Sequence, residues 1–282
     1  FDKYGKQLFC IAVDSTKQLF VYNPATRSSK MILEAHKKAD MQRPVISDDG
    51  NRIAFYANTD STKKFDENVE IYTCRMNVEN PKPVKLITND IKGLPEGMLV
   101  SKNRAINFSK KGDKLFFGIT YPIAKKDTTI KEEQAQLDVW HYQAPYIATQ
   151  DLHMKSMLQK RSYLSVVELD TLDYSLKGKM VRLATEQYPI PTVPDEWSAG
   201  YAYTHTSQPY LVQAQWDANP IGDLYIISLK DGSSRLLAKG SYVFGMHTSP
   251  SGDYLVWFNP EDNQYYSMDM SAVNKGEDID AE

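Results

Sequence analysis

Five histidines (His36, His141, His153, His205 and His247), two cysteines (Cys10 and Cys74) and a few serines beside glycine are the residues with which this chain would have to do chemistry. A nucleophilic serine of the strand-turn-helix kind sits in a Gly-x-Ser-x-Gly elbow. None of the 282 residues forms one, and Gly232-Ser233 and Gly240-Ser241 have the spacing of turns. Without such a serine, a His-Asp pair has nothing to activate. The cysteines lie in separate apolar phrases with no second Cys or His at ligand spacing, so they read as buried free thiols and not as a zinc site. Trp140-His141-Tyr142 could form an aromatic cage or a proton-transfer site. On an alternating strand, however, Val139 and His141 share one face and Trp140 and Tyr142 the other, which is a core face and a rim face. The sequence therefore assigns no catalytic residue, no metal ligand and no cofactor, and it leaves substrate-binding residues unknown.

Composition narrows the classes further. A net charge of −3 with no basic stripe disfavours nucleic acid. No apolar run reaches the roughly 18 residues of a membrane span. The hydrophobic fraction of 41% is enough for a continuous core.

The elements that would carry any site are set by a repeated phrase, a polar turn ending in Gly followed by an apolar, aromatic-rich strand. Ser47-Asp48-Asp49-Gly50 before Ile53-Ala54-Phe55-Tyr56 returns as Ser109-Lys110-Lys111-Gly112 before Leu115-Phe116-Phe117, and as Ser249-Pro250-Ser251-Gly252 before Leu255-Val256-Trp257. A truncated copy starts at Tyr4-Gly5, and a degenerate one is read at Ser207 to Val212. Each is followed by an alternating strand, a turn and a basic-aliphatic strand. The clearest case is Leu224 to Leu229, Lys230-Asp231-Gly232-Ser233, then Arg235 to Ala238, where Asp-Gly suits a tight hairpin.

Gly5 to Gly50 is 45 residues and Ser207 to Ser249 is 42, the span of one four-stranded propeller blade. The predicted fold is all-β, a partial β-propeller of about four to five WD-like blades with a short helical insertion. A β-sandwich is the alternative, but it has no reason to repeat the same phrases in fixed order. The whole chain, 1–282, reads as one propeller fragment of a longer protein, with blade boundaries near 40, 95, 195 and 240 and an acidic tail at 271–282. Asp60 to Asn68 reads as a polar loop and 121–161 as the large insertion. Within the insertion Ala144 to Arg161 breaks strand rhythm, predicting a short helix capped by Thr149 or Asp151 and packed on a propeller face. His205 and His247 fall in inner strands that would line a central channel.

The ordered set Leu115-Phe116-Phe117-Gly118-Ile119, Lys125-Lys126-Asp127-Thr128-Thr129, Leu137-Asp138-Val139-Trp140-His141-Tyr142 and Gln159 to Val166, followed by Trp216 and Tyr225, resembles the propeller of bacterial prolyl oligopeptidase-family serine peptidases. The match is closest to periplasmic or secreted members from Bacteroides-type bacteria and runs from about Pro95 to Met270. The resemblance implies a non-catalytic propeller that gates the access of short peptides to a C-terminal α/β-hydrolase domain with a Ser-Asp-His triad. It also implies a periplasmic or secreted location. Dipeptidyl-peptidase relatives bind a substrate ammonium with two glutamates, since paired carboxylates neutralise and orient it. The adjacent pair here, Glu132-Glu133, lacks the surrounding motif and reads as solvated charge. Two other functions remain open. One is a stand-alone cell-envelope propeller binding a protein or glycan. The other is a sugar-acting propeller, for which the inner-strand phrases carry few acids. A partial ring leaves sheet edges to cover, so either self-association or closure with fewer blades than the parent is expected.

Overall fold

A computed structural model describes residues 5–60, 62, 68–123, 141–171, 173–217 and 221–278. The described chain folds into five successive antiparallel sheets, four of them meanders in which strands consecutive in sequence pair with one another. The first holds β1 (Leu8–Val13), β2 (Thr16–Asn23) and β3 (Ser28–His36); the second holds β4 (Asp40–Ile46), β5 (Arg52–Asn58), β6 (Glu70–Arg75) and β7 (Val84–Ile87). In the third, β8 (Leu99–Ser101) and β9 (Asn107–Phe108) both pair with β10 (Lys114–Thr120), followed by β11 (Tyr163–Leu169) and β12 (Leu176–Arg182). The fourth holds β13 (Tyr201–Thr206), β14 (Gly222–Ser228) and β15 (Ser234–Ser241), and the fifth β16 (Phe244–Thr248), β17 (Tyr254–Asn259) and β18 (Gln264–Asp269). Five such sheets in series make the fold an all-β propeller.

The repeated turn has one hydrogen-bond pattern, which explains its spacing. The serine N–H donates to the carbonyl five residues on (Ser47 to Arg52 2.8 Å, Ser109 to Lys114 3.0 Å, Ser249 to Tyr254 2.9 Å). The N–H of that same later residue donates back to the serine Oγ, at 3.0 Å in all three. Between them Gly50, Gly112 and Gly252 sit at φ of 72°, 70° and 76°, where a Cβ is strained. The phrase thus needs Ser at its start and Gly three residues later, whatever lies between.

β5 and β10, which follow the first two turns, are buried on both faces, which is why they read as unbroken apolar runs, whereas β17 leaves Tyr254 and Val256 exposed. Ile53, Phe55 and Ala57 of β5 pack with Leu19, Val21 and Ile32 of the first sheet. Ala54 and Tyr56, pointing the other way, join Leu115 to Phe117, Leu164 and Tyr201 in the larger core. Each such Phe, Ile or Leu, fully buried, contributes on the order of 1.5–3 kcal/mol.

The fourth sheet corrects the expected repeat. The residue at or just past the end of the third strand position donates to the carbonyl just before the second (Met76 to Asn51 2.8 Å, Leu169 to Asp113 2.8 Å, Met270 to Asp253 2.7 Å). In the fourth sheet the same bond runs from Leu229 to Gly200, at 3.1 Å. Hence β13 is the second strand position, Thr192, bridged to Tyr203, stands at the first, and Ser207 to Val212 is no strand. The preceding turn has no glycine at the expected place; Asp195, Glu196 and Trp197 instead take φ of 48°, 49° and 70°. Trp197 then lies 5.1 Å from the Phe116 ring, and Ser198 Oγ accepts from Lys110 N at 2.9 Å, tying the fourth sheet to the third.

The insertion does contain a helix, α1 (Ala148–Gln159), but its start differs from expectation. Ile147 is the N-cap, and Gln150 Oε1 accepts its N–H at 3.1 Å, while Thr149 and Asp151 lie inside the first turn. None of the helix residues is buried; Ala148, Met154 and Leu158 are half-buried and the rest exposed.

Candidate functional site

In a four-stranded meander, the connections between second and third strands emerge at one end of the sheet. Here three of them are long: 59–69 in the second sheet, 121–162 in the third and 207–221 in the fourth. The last two meet. Gln215 Nε2 donates to the carbonyls of Ala144 (3.2 Å) and Pro145 (2.5 Å), bracing the fourth-sheet connection against the segment that leads into α1.

A buried carboxylate holds this connection in place. Asp223, at the start of β14, accepts from Tyr210 Oη (2.8 Å), Gly240 N (2.9 Å) and Tyr225 Oη (3.4 Å). Tyr225 Oη in turn accepts from Gln187 Nε2 at 2.7 Å. The hydrogen bond to the Asp223 carboxylate raises the Tyr210 phenol above its usual range, so the donor stays protonated. Asp217 accepts from Tyr242 Oη at 3.4 Å on the same connection. The Asp223 cluster is buried or half-buried, whereas the Gln215 brace and several apolar groups are exposed. Trp216 is 86% exposed, Tyr142 84%, Leu152 67% and Met157 61%. A groove of about 330 Å³ on α1 is lined by Tyr146, Thr149, Gln150, His153 and Met154.

The histidines are not brought together. His36 accepts from Lys38 N at Nδ1 (3.1 Å), leaving Nε2 to donate to the Thr59 carbonyl (2.9 Å). His205 Nε2 meets the Ser241 carbonyl at 3.2 Å, and His205 stands in the second strand position of its sheet, not the innermost. His247 is exposed on β16 and His153 on α1. His141 and Tyr142 are exposed in a turn closed by Ala144 N to His141 O (2.9 Å), not on an alternating strand. Trp140 and Glu132-Glu133 lie outside the described residues, as does most of the Asp60 to Asn68 loop. Both cysteines are free, Cys74 buried and Cys10 only partly so, which corrects the expectation that both are buried. Among the described residues no group of three or more His, Cys, Asp and Glu is placed to hold a metal ion, and no helix is long and apolar enough to cross a membrane.

The braced surface was missed by sequence reasoning. Trp216 was visible as an aromatic, but nothing in the sequence paired Gln215 with Ala144 across 71 positions.

The sequence matches no protein-family model and no curated protein. Among solved structures it is similar to the acylaminoacyl peptidase of Pyrococcus horikoshii, with 13% identity, a TM-score of 0.44, and 89% of this chain aligned to 33% of that one. It is also similar to the β-propeller domain of the Trilobed protease from Pyrococcus furiosus (12% identity, TM-score 0.44, 94% of this chain and 66% of that one). TolB from Acinetobacter baumannii gives 10% identity, a TM-score of 0.39, and 94% and 51% coverage. The chain spans from a third to two thirds of these proteins. Similarity at this level carries no activity across, and the propeller class rests on the five sheets themselves.

Proposed function

We propose that this chain is the propeller of a prolyl oligopeptidase-like serine peptidase, a non-catalytic gate that limits access of short peptides to an α/β-hydrolase domain. The observation that carries the reading is the braced surface of α1 and the 207–217 connection. Trp216, Tyr142, Leu152 and Met157 stand exposed on these segments, which Gln215 ties together by hydrogen bonds, as suits a face that docks against a second domain. The ordered residues from Phe116 to Tyr225 support the same reading, with a periplasmic or secreted location. Exposed aromatics also favour a second reading, a cell-envelope propeller that binds a protein or glycan there.

The test uses the full-length protein. Trp216→Ser and Leu152→Asp, both exposed and tolerable to the fold, are expected to lower kcat/KM on short chromogenic peptides and to admit longer ones. Unchanged kinetics on both substrate lengths would remove the gate from this surface.

A further inference from the structure

The second and third sheets enclose a cleft of about 620 Å³ at the end opposite the long connections. Its floor carries Arg52, the first residue of β5, which is 1% exposed. A guanidinium brings five N–H donors, yet none of its three nitrogens has an acceptor among the described residues. Taking such a charge out of water without hydrogen bonds is costly. The compensation present is aromatic: the guanidinium lies 3.4 Å from the centroid of Tyr174 and 5.7 Å from that of Phe108.

Arg75 shares the Tyr174 ring, with its guanidinium 5.2 Å from the centroid. Two like charges thus flank one ring. Burial depresses the Arg52 pKa to about 10, and the Arg75 charge works in the same direction. Asp49 and Asp173, the latter also lining the cleft, oppose that shift by charge alone, and their hydrogen bonds go to other groups. Asp49 accepts from Ser47 Oγ, Asn51 N and Asn51 Nδ2, and Asp173 accepts from Ser175 N. Of the two lysines lining the cleft, Lys85 is paired with Glu70 at 2.9 Å, while Lys82 adds to the positive field. The remaining walls carry the aliphatic Val84, Leu86 and Leu176 beside the polar Thr73, Asn80 and Ser175. Tyr174 has φ of 67°, uncommon for a bulky residue, in the turn between β11 and β12, so the group that covers Arg52 is held in a strained backbone.

We propose that this cleft binds an anionic ligand whose carboxylate or phosphate head takes the place of the Tyr174 ring on Arg52 and Arg75, with an apolar body along Val84, Leu86 and Leu176. An oxyanion is the group that satisfies a forked donor and separates two like charges. The site lies apart from the α1 surface and does not depend on its proposed role.

The experiment is calorimetric titration of the full chain with octanoate, octyl phosphate, inorganic phosphate and the neutral octanamide. Octanoate or octyl phosphate is expected to bind, octanamide not to bind, and inorganic phosphate to bind more weakly than octyl phosphate. Arg75→Met is expected to weaken binding by at least tenfold and Arg52→Met to abolish it. Tyr174→Ala, which uncovers the guanidinium, is expected to tighten it, and it keeps the test decisive should Arg52→Met fail to fold. Octanamide binding as well as octanoate, no binding by either amphiphilic anion, or full affinity in Arg75→Met would each overturn the proposal.

Discussion

The Tyr201 hydroxyl donates to the Gly252 carbonyl at 2.7 Å, so a fully buried side chain of the fourth sheet closes on the repeated turn of the fifth. Burial pushes its phenol well above the usual range, which keeps the proton on the donor. Tyr201→Phe keeps the ring and leaves a buried acceptor unpaired. It is expected to lower unfolding free energy by about 1–3 kcal/mol, read as a reduced urea midpoint with unchanged m.

Gly222 opens β14 beneath His205. A Cβ there would stand 2.5 Å from His205 Nε2 and 2.6 Å from the Thr206 carbonyl. Gly222→Ala is expected to destabilise by about 1–3 kcal/mol through overpacking, whereas Gly50→Ala meets no atom and is strained only by its positive φ. Thermal unfolding of both variants separates crowding from backbone strain: adding His205→Ala is expected to recover part of the loss at Gly222 and none at Gly50.

How much of this was legible follows from the local physics. The Ser-x-x-Gly turns were readable because the serine clamp and the positive-φ glycine fix residue types at fixed places. The fourth turn hid because Asp195 to Trp197 supply the left-handed backbone without glycine. The signal that remained was Trp197-Ser198-Ala199-Gly200 just before the strand Tyr201-Ala202-Tyr203. Arg52 hid for a different reason: in a polar turn it reads as a solvated charge, and only the third-sheet turn carrying Tyr174 covers it. The helix cap failed because Gln150 serves Ile147 through the glutamine side chain, and no Ser, Thr or Asp was needed at the cap.

Acid is expected to weaken the third-sheet turn. At Asp113 burial alone would raise the carboxyl pKa, but the Ser109 hydroxyl (2.7 Å) and the Lys114 ammonium (3.2 Å) together hold it below its ordinary 3.8. A depressed folded pKa contributes stability that is fully present above the unfolded pKa and is lost as pH falls through the folded one. Asp113→Asn is therefore expected to destabilise at pH 7 and to match the parent near the acid limit. Urea midpoints from pH 7 down to about 2.5 would show the two curves converging.

Burial raises the Cys74 thiol to about 11, whereas Cys10 is partly exposed. Labelling with a disulfide reagent at pH 8 is expected to titrate one thiol rapidly and the second only on unfolding, because the thiolate is the reactive form. Two fast thiols in the native protein would contradict the packing of β6 against the first sheet.

The most direct measurement of the peptidase-gate proposal is hydrolysis of proline-containing and dipeptide chromogenic substrates by the full-length protein beside residues 1–282 alone, with and without a serine-directed covalent inhibitor. The expected result is inhibitor-sensitive hydrolysis by the full-length protein and none by the 282 residues, which hold no Gly-x-Ser-x-Gly nucleophile. A full-length protein that cleaves none of these substrates and takes up no inhibitor would contradict the proposal.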